Sequence, residues 1–298
     1  MSDANWLFEF PAMSNESLRA LKKGIDLGYL EFSRTYGESI EALFEPLLVF
    51  LVWFEDVFTG TPWWLLIAAI AGLSWLASRN WKAVAGVIVA FLAIGYFGMW
   101  EDTMSTMAMI TVCTLLSLAI GLPTGILMAR YDRAQAIITP ALDVMQTMPS
   151  FVYLIPVVML LGIGRVPGLL AVVIYALPPV IRFTNLGIRL VDREVLEAAD
   201  SFGASYWQRL FGVQLPMALP TIMAGINQTI MMALAMVVIA SMIGVKGLGQ
   251  PVLKAVTNQY FALGLFNGLA IVALAIVFDR LTQAYGRRLQ GYRQVHNG

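Results

Sequence analysis

Long apolar runs dominate the chain from residue 62 onward. A helix that crosses a bilayer needs about 20 largely apolar residues. Seven segments approach that length, at roughly 62–78, 83–100, 103–129, 150–164, 166–183, 217–243 and 262–282. The longest uncharged runs are Met217–Val245 and Thr103–Ala129, whereas 150–164 and 166–183 are shorter and rich in proline and glycine. The pattern ahead of these runs differs. Tyr29, Phe32, Tyr36, Ile40, Leu43 and Leu47 recur at helical spacing, while Glu31, Arg34, Glu38, Glu41 and Glu45 occupy other faces. That spacing predicts an amphipathic helix. It either lies in a membrane interface or packs on the outside of the protein's own helices, and its acidic polar face argues against attraction to anionic lipid.

Composition supports a membrane protein. Of 298 residues, 59% are hydrophobic and 13% charged, and the charged share is about half that of soluble domains. Mean hydropathy is +0.74. A soluble domain of this size cannot bury that much apolar surface. Disorder is excluded on the same grounds, and a disulfide framework is excluded because Cys113 is the single cysteine. Zero net charge gives no support for a nucleic-acid partner. That zero is a cancellation: residues 1–61 hold 10 of the 19 acids but 4 of the 19 bases. Basic residues cluster at Arg79 and Lys82, at Arg130 and Arg133, at Arg182, Arg189, Arg193 and Arg209, and at Arg287, Arg288 and Arg293. Seven spans place all these clusters on one side, the cytoplasm, with the N-terminus outside and the C-terminus inside. Glu101, Asp102, Arg165, Lys246 and Lys254 then fall outside. Residues 1–25 lack the apolar core of a cleavable signal peptide.

The segment Val191–Pro220 reads as an exposed helix–turn–helix. Asp192 is a candidate N-cap, with Glu194 and Glu197 near the positive end of the helix dipole. Val195, Ala199 and Phe202 form an apolar face. Gly203 permits a turn, and Ser205 with Gln208 forms a capping box. The second helix presents Trp207, Leu210 and Phe211, and Leu215-Pro216 closes the unit before the next span. As a plain structural element this is an amphipathic connector, yet its apolar face has no evident partner in the chain.

Other chemistry is sparse. There is no P-loop motif, and the glycines of Gly244–Gly249 follow an apolar run rather than a strand, so they read as a break leading into a re-entrant or surface helix. His296 and Cys113 offer no metal site, and no catalytic constellation or cofactor is called for. Ion-coupled carriers place acids or histidines inside the membrane. Here Asp143 lies near the cytoplasmic face and Asp279 sits beside Arg280 as a structural pair. Gln146, Thr147, Tyr153, Tyr175, Asn227, Gln228 and Thr229 are the polar groups in otherwise apolar stretches. Each either lines a solute path or makes an interhelical hydrogen bond. Pro149, Pro156, Pro178 and Pro179 are expected to kink or break helices there.

The spacing of the loop carries a resemblance. Glu197-Ala198-Ala199, three residues, Gly203, nine residues, Val213, one residue and Leu215-Pro216 resembles the EAA loop of ABC-importer permeases, EAA-x3-G-x9-I-x-L-P, with valine at the isoleucine position. Met145–Pro156, Ala176–Pro179, Thr184–Arg189 and Met223–Ile230 are similar to segments of permeases for glycine betaine, proline betaine and choline. The similarity spans about residues 60–285. It implies an all-α polytopic permease of the type-I importer fold, in the inner (plasma) membrane, working as a homodimer on a quaternary-ammonium osmolyte. Carnitine or a sulfonium compound is the alternative cargo, and ion-coupled secondary transport the alternative mechanism. It implies an acidic tail at 1–60, two additional spans at 61–101, a core at 102–283 with the coupling loop at 191–216, and a cytoplasmic tail at 284–298. The implied partners are cytosolic ABC ATPases, a periplasmic or lipid-anchored binding protein, a second permease copy and the bilayer. No catalysis is implied for this chain. In the loop, Arg193 and Glu197 are implied as polar contacts to the ATPase, Phe202 and Trp207 as anchors and Gly203 as the turn, with Ala198, Ala199, Leu215 and Pro216 completing the motif.

Overall fold

The computed structural model describes residues 12–294, and the side chains among them except at 41 and 287–294. His296, residues 1–11, and the side chains of Glu41, Arg287, Arg288 and Arg293 lie outside the described residues. Every regular element described is helical.

Helix α1 (Asn15–Gly60) has 46 residues, a length of about 69 Å at 1.5 Å per residue. The Ser14 hydroxyl caps it by accepting from the Ser17 N–H, and it runs through Pro46. The amphipathic helix expected around 29–47 is thus part of a much longer one. Helices α2 (Trp63–Ser78) and α3 (Trp81–Tyr96) have 16 residues each. Arg79 joins them in the left-handed region, and Asn80 caps α3 by accepting from the Lys82 N–H at 3.0 Å. Helix α4 (Trp100–Arg130) is followed by α5 (Asp132–Thr147), a 3-10 turn (Ser150–Tyr153) and α6 (Leu154–Leu161). Then come α7 (Arg165–Arg189), α8 (Arg193–Ser201), α9 (Tyr206–Arg209), a π-helical stretch (Leu210–Gln214), α10 (Leu215–Ala240), α11 (Gly249–Asn258) and α12 (Phe261–Gln294).

Among the described residues, four helical segments are long and apolar enough to cross a membrane: Trp100–Arg130, Arg165–Arg189, Tyr206–Ile243 and Phe261–Gly286. The segment at 150–164 is not one continuous helix. It is the 3-10 turn plus the eight-residue α6, bent by 111° from α5. Pro149 biases the preceding Met148 toward extended backbone (ψ 133°), which ends α5. Gly162, at φ +75°, ends α6.

The core is α4, α7 and α10. Small residues let these helices approach closely, as they do in membrane bundles generally. Gly121 of α4 faces Val180 of α7, and Gly125 faces Thr184. Arg189 at the end of α7 donates to the Met128 carbonyl at 2.9 Å and to Asp132 at 2.7 Å. These pairs advance together along both chains, so α4 and α7 run parallel. Segments α5 and α6 therefore carry the chain back along the full length of the bundle. Helix α10 is antiparallel to α7: Gly187 packs on Ala218, Gly225 on Phe183 and Gly168 on Val245. Helix α12 is antiparallel to α10, through Asn227 with Asp279 and Met223 with Gly286. Met104, Ile110, Leu169, Met236 and Leu274 fill the centre.

The bundle has two chemically different ends. One holds Arg130, Asp132, Arg189, α8 and α9. The other holds Trp100, Arg165 and Lys246. There the glycine break ends the long apolar helix and leads into α11, with Gly244 and Gly247 at positive φ, and the Leu248 N–H donates to Thr106 Oγ1 at 2.9 Å. Helix α1 packs on this body from residue 29 onward. The Tyr29 hydroxyl donates to the Pro156 carbonyl at 2.5 Å and Ser33 to the Met159 carbonyl at 3.2 Å. Glu55 pairs with Arg165 at 2.8 Å and accepts from Ser105 at 2.9 Å. Ahead of that contact Leu18, Leu21 and Ile25 are exposed.

Candidate functional site at the charged end

Residues 191–216 form the most exposed apolar surface attached to the charged end. Asp192 accepts from the Glu194 N–H at 3.0 Å and starts α8, which has no buried residue. Helix α8 stops at Phe202, and Gly203 turns the chain at φ +74°. A Cβ on Gly203 would meet nothing within 4 Å, so only backbone conformation restricts this position. The Ser205–Gln208 capping box opens α9, with the Ser205 N–H donating to Gln208 Oε1 at 2.8 Å.

The side chains divide into two stripes. Phe202 is 93% exposed, and Trp207 and Phe211 stack with ring centroids 5.8 Å apart on the exposed face. Tyr206 and Leu210 face the spans. Leu210, expected on the presented face, is instead 1% exposed and packs with Ile188, Ala218 and Ile222. Leu215-Pro216 does not close the unit either, because the helix is continuous from Tyr206 to Ile243. The π-helical stretch explains this. Leu215 N–H bonds Leu210 O, five residues back, just where Pro216 has no N–H to contribute.

Arg193 and Glu197 project from α8 into solvent, Ala198 is exposed and Ala199 half-buried. Two contacts that spacing did not reveal brace the unit. Arg209 Nη1 reaches both carboxylate oxygens of Asp200, at 2.9 and 2.7 Å, across the Gly203 turn. The Arg130 guanidinium lies 4.0 Å from the Tyr206 ring centroid. Charge signs in the loop gave a weak cue to the first, and nothing local pointed to the second.

The polar residues considered for a solute path do not converge. Tyr153 is buried, donates to the Met145 carbonyl and meets the Tyr175 ring edge-on at 5.8 Å. Asn227 donates to Asp279 at 2.8 Å and accepts from Thr282 at 2.6 Å. Asp279 also accepts from Gln283, at 2.7 Å, so its partners are amides rather than the Arg280 expected from sequence. A cleft of about 290 Å³ lies beside this network, lined by Met223, Asn227, Thr282 and Gln283 among others. Thr229 is fully buried and its hydroxyl has no hydrogen-bond partner. Gln146, Thr147 and Gln228 are exposed. Asp143 forms an ion pair with Arg182 that ties α5 to α7.

An apolar helical bundle with membrane-length helices and a braced, charged loop at one end has the architecture of a membrane transport subunit. Residues 121–291 match the family described as "binding-protein-dependent transport system inner membrane component". The chain belongs to that family. Over 98% of its length it is 45% identical to the glycine betaine/proline betaine transport system permease protein ProW of Escherichia coli (strain K12), covering 85% of that protein. It is 49% identical to the glycine betaine/carnitine transport permease protein GbuB of Listeria monocytogenes, over 79% of this chain and 84% of the relative. The methionine ABC transporter MetNI, in an inward-facing conformation, shares the fold with a TM-score of 0.58 at 19% identity, over 64% of this chain and 95% of that one.

Proposed function

We propose that this permease moves a quaternary-ammonium osmolyte, namely glycine betaine, proline betaine or choline, inward across the inner membrane as one half of a homodimer. Its ATPase binds the loop at 191–216, and a binding protein delivers solute to the opposite end. The exposed aromatic face of the loop carries this reading: Phe202, Trp207 and Phe211 are held outward by a rigid turn. Relatives at 43–51% identity are named for glycine betaine, proline betaine and carnitine, which supports this class of cargo; choline rests on the sequence resemblance.

The basic end is the cytoplasmic one, since Arg130, Arg189 and Arg209 gather there. Seven crossings result when the bent α5–α6 pair counts as one and the short α2 and α3 as two. Gln146, Thr147 and Gln228 are polar groups left exposed on this chain, which suits a path shared with the second copy. Tyr153, Tyr175, Asn227 and Thr229 then serve packing around it. The test is uptake of labelled glycine betaine into proteoliposomes holding the permease, its cognate ATPase and binding protein. ATP-dependent uptake competed by choline and proline betaine is expected. Uptake driven by an ion gradient with the ATPase left out overturns the reading.

A further inference from the structure

We propose that Asp200, Arg209, Tyr206 and Arg130 are positioning residues that make the loop a stiff joint between the ATPase and two separate spans. The inference rests on the ATPase-coupling reading above and goes beyond the residues of the EAA pattern. Helix α8 ends at the exposed Phe202 and has no buried side chain of its own. Force on it reaches the spans by two routes: back through residues 190–192, where Val191 is buried, into α7, and forward across the Gly203 turn, a single left-handed residue with open space around it. The contact of Arg209 Nη1 with both oxygens of Asp200 closes that turn and restrains the angle between α8 and α9. A charge-assisted contact shared by both carboxylate oxygens is short and strong, and it holds the two helix ends together. Without the pair, the angle between α8 and α9 is left to the backbone bonds of the turn, from Gly203 N–H to the Asp200 carbonyl and from Ala204 N–H to the Ala199 carbonyl.

From α9 the connection divides. Forward, the chain continues through the π-helical stretch into α10 without a break, with Leu210 seated against Ile188 of α7. Sideways, Tyr206 stacks under Arg130, the last residue of α4. Helix α4 runs antiparallel to α10, so one displacement of α8 reaches both a descending and an ascending span. The Tyr206 ring is the active part of that contact, because cation–π attraction acts on the ring face.

Four variants test this in the assembled complex with its cognate ATPase and binding protein. Proteoliposomes report ATP hydrolysed per glycine betaine imported, and co-purification reports ATPase binding. Arg209→Gln is expected to raise the ATP-to-solute ratio about threefold with the ATPase still bound, the size expected for a half-exposed ion pair. The exchange Asp200→Arg with Arg209→Asp is expected to bring the ratio back toward wild type. Tyr206→Phe is expected to match wild type, and Tyr206→Leu to raise the ratio. Unchanged ratios in Arg209→Gln and Tyr206→Leu, in a complex whose wild type imports, overturn the joint alone. So does loss of ATPase binding in both, because the residues then serve assembly. A wild-type complex that does not import with ATP overturns the coupling reading and the joint with it.

Discussion

Gly125→Ala and Gly86→Ala should change stability in opposite directions. Both glycines sit inside helices, α4 and α3. On intrinsic propensity alone, each replacement favours the helix by about 1 kcal/mol. At Gly86 a Cβ meets nothing within 4 Å, so that gain stands. At Gly125 a Cβ would lie 2.6 Å from Thr184 Cβ and 2.8 Å from the Ile181 carbonyl oxygen of α7. Ordinary contact begins near 3.4 Å, and backbone oxygen cannot rotate away. The two helices must separate by several tenths of an ångström along a seam that also includes Gly121. Overpacking of this kind costs about 1–3 kcal/mol, which exceeds the propensity gain. Thermal unfolding of the purified permease in one detergent, followed by tryptophan fluorescence, measures the difference. Gly125→Ala should lower the midpoint by about 4 °C, and Gly86→Ala should leave it equal or higher. A Gly125→Ala midpoint at or above that of Gly86→Ala refutes the close approach of α4 and α7.

Thr229→Val removes a buried hydroxyl without a partner, so it should raise the unfolding midpoint by the equivalent of about 1 kcal/mol; a fall would mean that the hydroxyl has a partner. Glu55→Gln breaks a pair whose side chains are 14% and 27% exposed. The expected loss is about 1–2 kcal/mol, below that of a fully buried pair, and a double-mutant cycle with Arg165→Gln that shows no coupling would dismiss the contact. Gly203→Asn should retain ATPase co-purification and Gly203→Val should lose most of it, because asparagine tolerates φ +74° and a β-branched residue does not. Equal retention by the two variants would show that the turn is not needed.

Features set by neighbouring residues are legible in the sequence, and those set by distant partners are not. Ser205 with Gln208, Asp192 and Gly203 act within a few residues of themselves, so spacing alone located the cap, the box and the turn. The runs at 103–129 and 217–243 needed only hydropathy. Three features depended on how distant or successive helices pack. Glu55 finds Arg165, and Asp279 finds Asn227 rather than its neighbour Arg280, because the antiparallel pairing of α10 and α12 decides which faces meet. Leu210 turns inward because α9 is already in phase with α10. Proline misled in both directions. Pro149 ends α5, yet Pro46 lies inside α1 and Pro216 inside a continuous helix. A missing N–H costs one bond, and whether the helix survives depends on what packs around it.

The nature of the loop's partner follows from its two kinds of surface together. Phe202, Trp207 and Phe211 would suit a lipid interface if they stood alone. They do not, because Asp192, Glu194, Glu197 and Asp200 share the same short unit, and Glu197 precedes Phe202 by little more than one helical turn. Carboxylates at that distance cannot enter an anionic membrane surface without severe cost. An aromatic face left in water is equally unfavourable. A protein cleft with an apolar floor and a cationic rim resolves both conflicts, since the rings bury and the acids pair at the edge. Among the described residues, Asp200 is the one of these acids in an ion pair, with Arg209, and so is withheld from that rim. On the proposed coupling the acids divide their tasks: the Asp200–Arg209 pair would set the angle of the loop, Asp192 caps α8, and Glu194 and Glu197 would meet the ATPase.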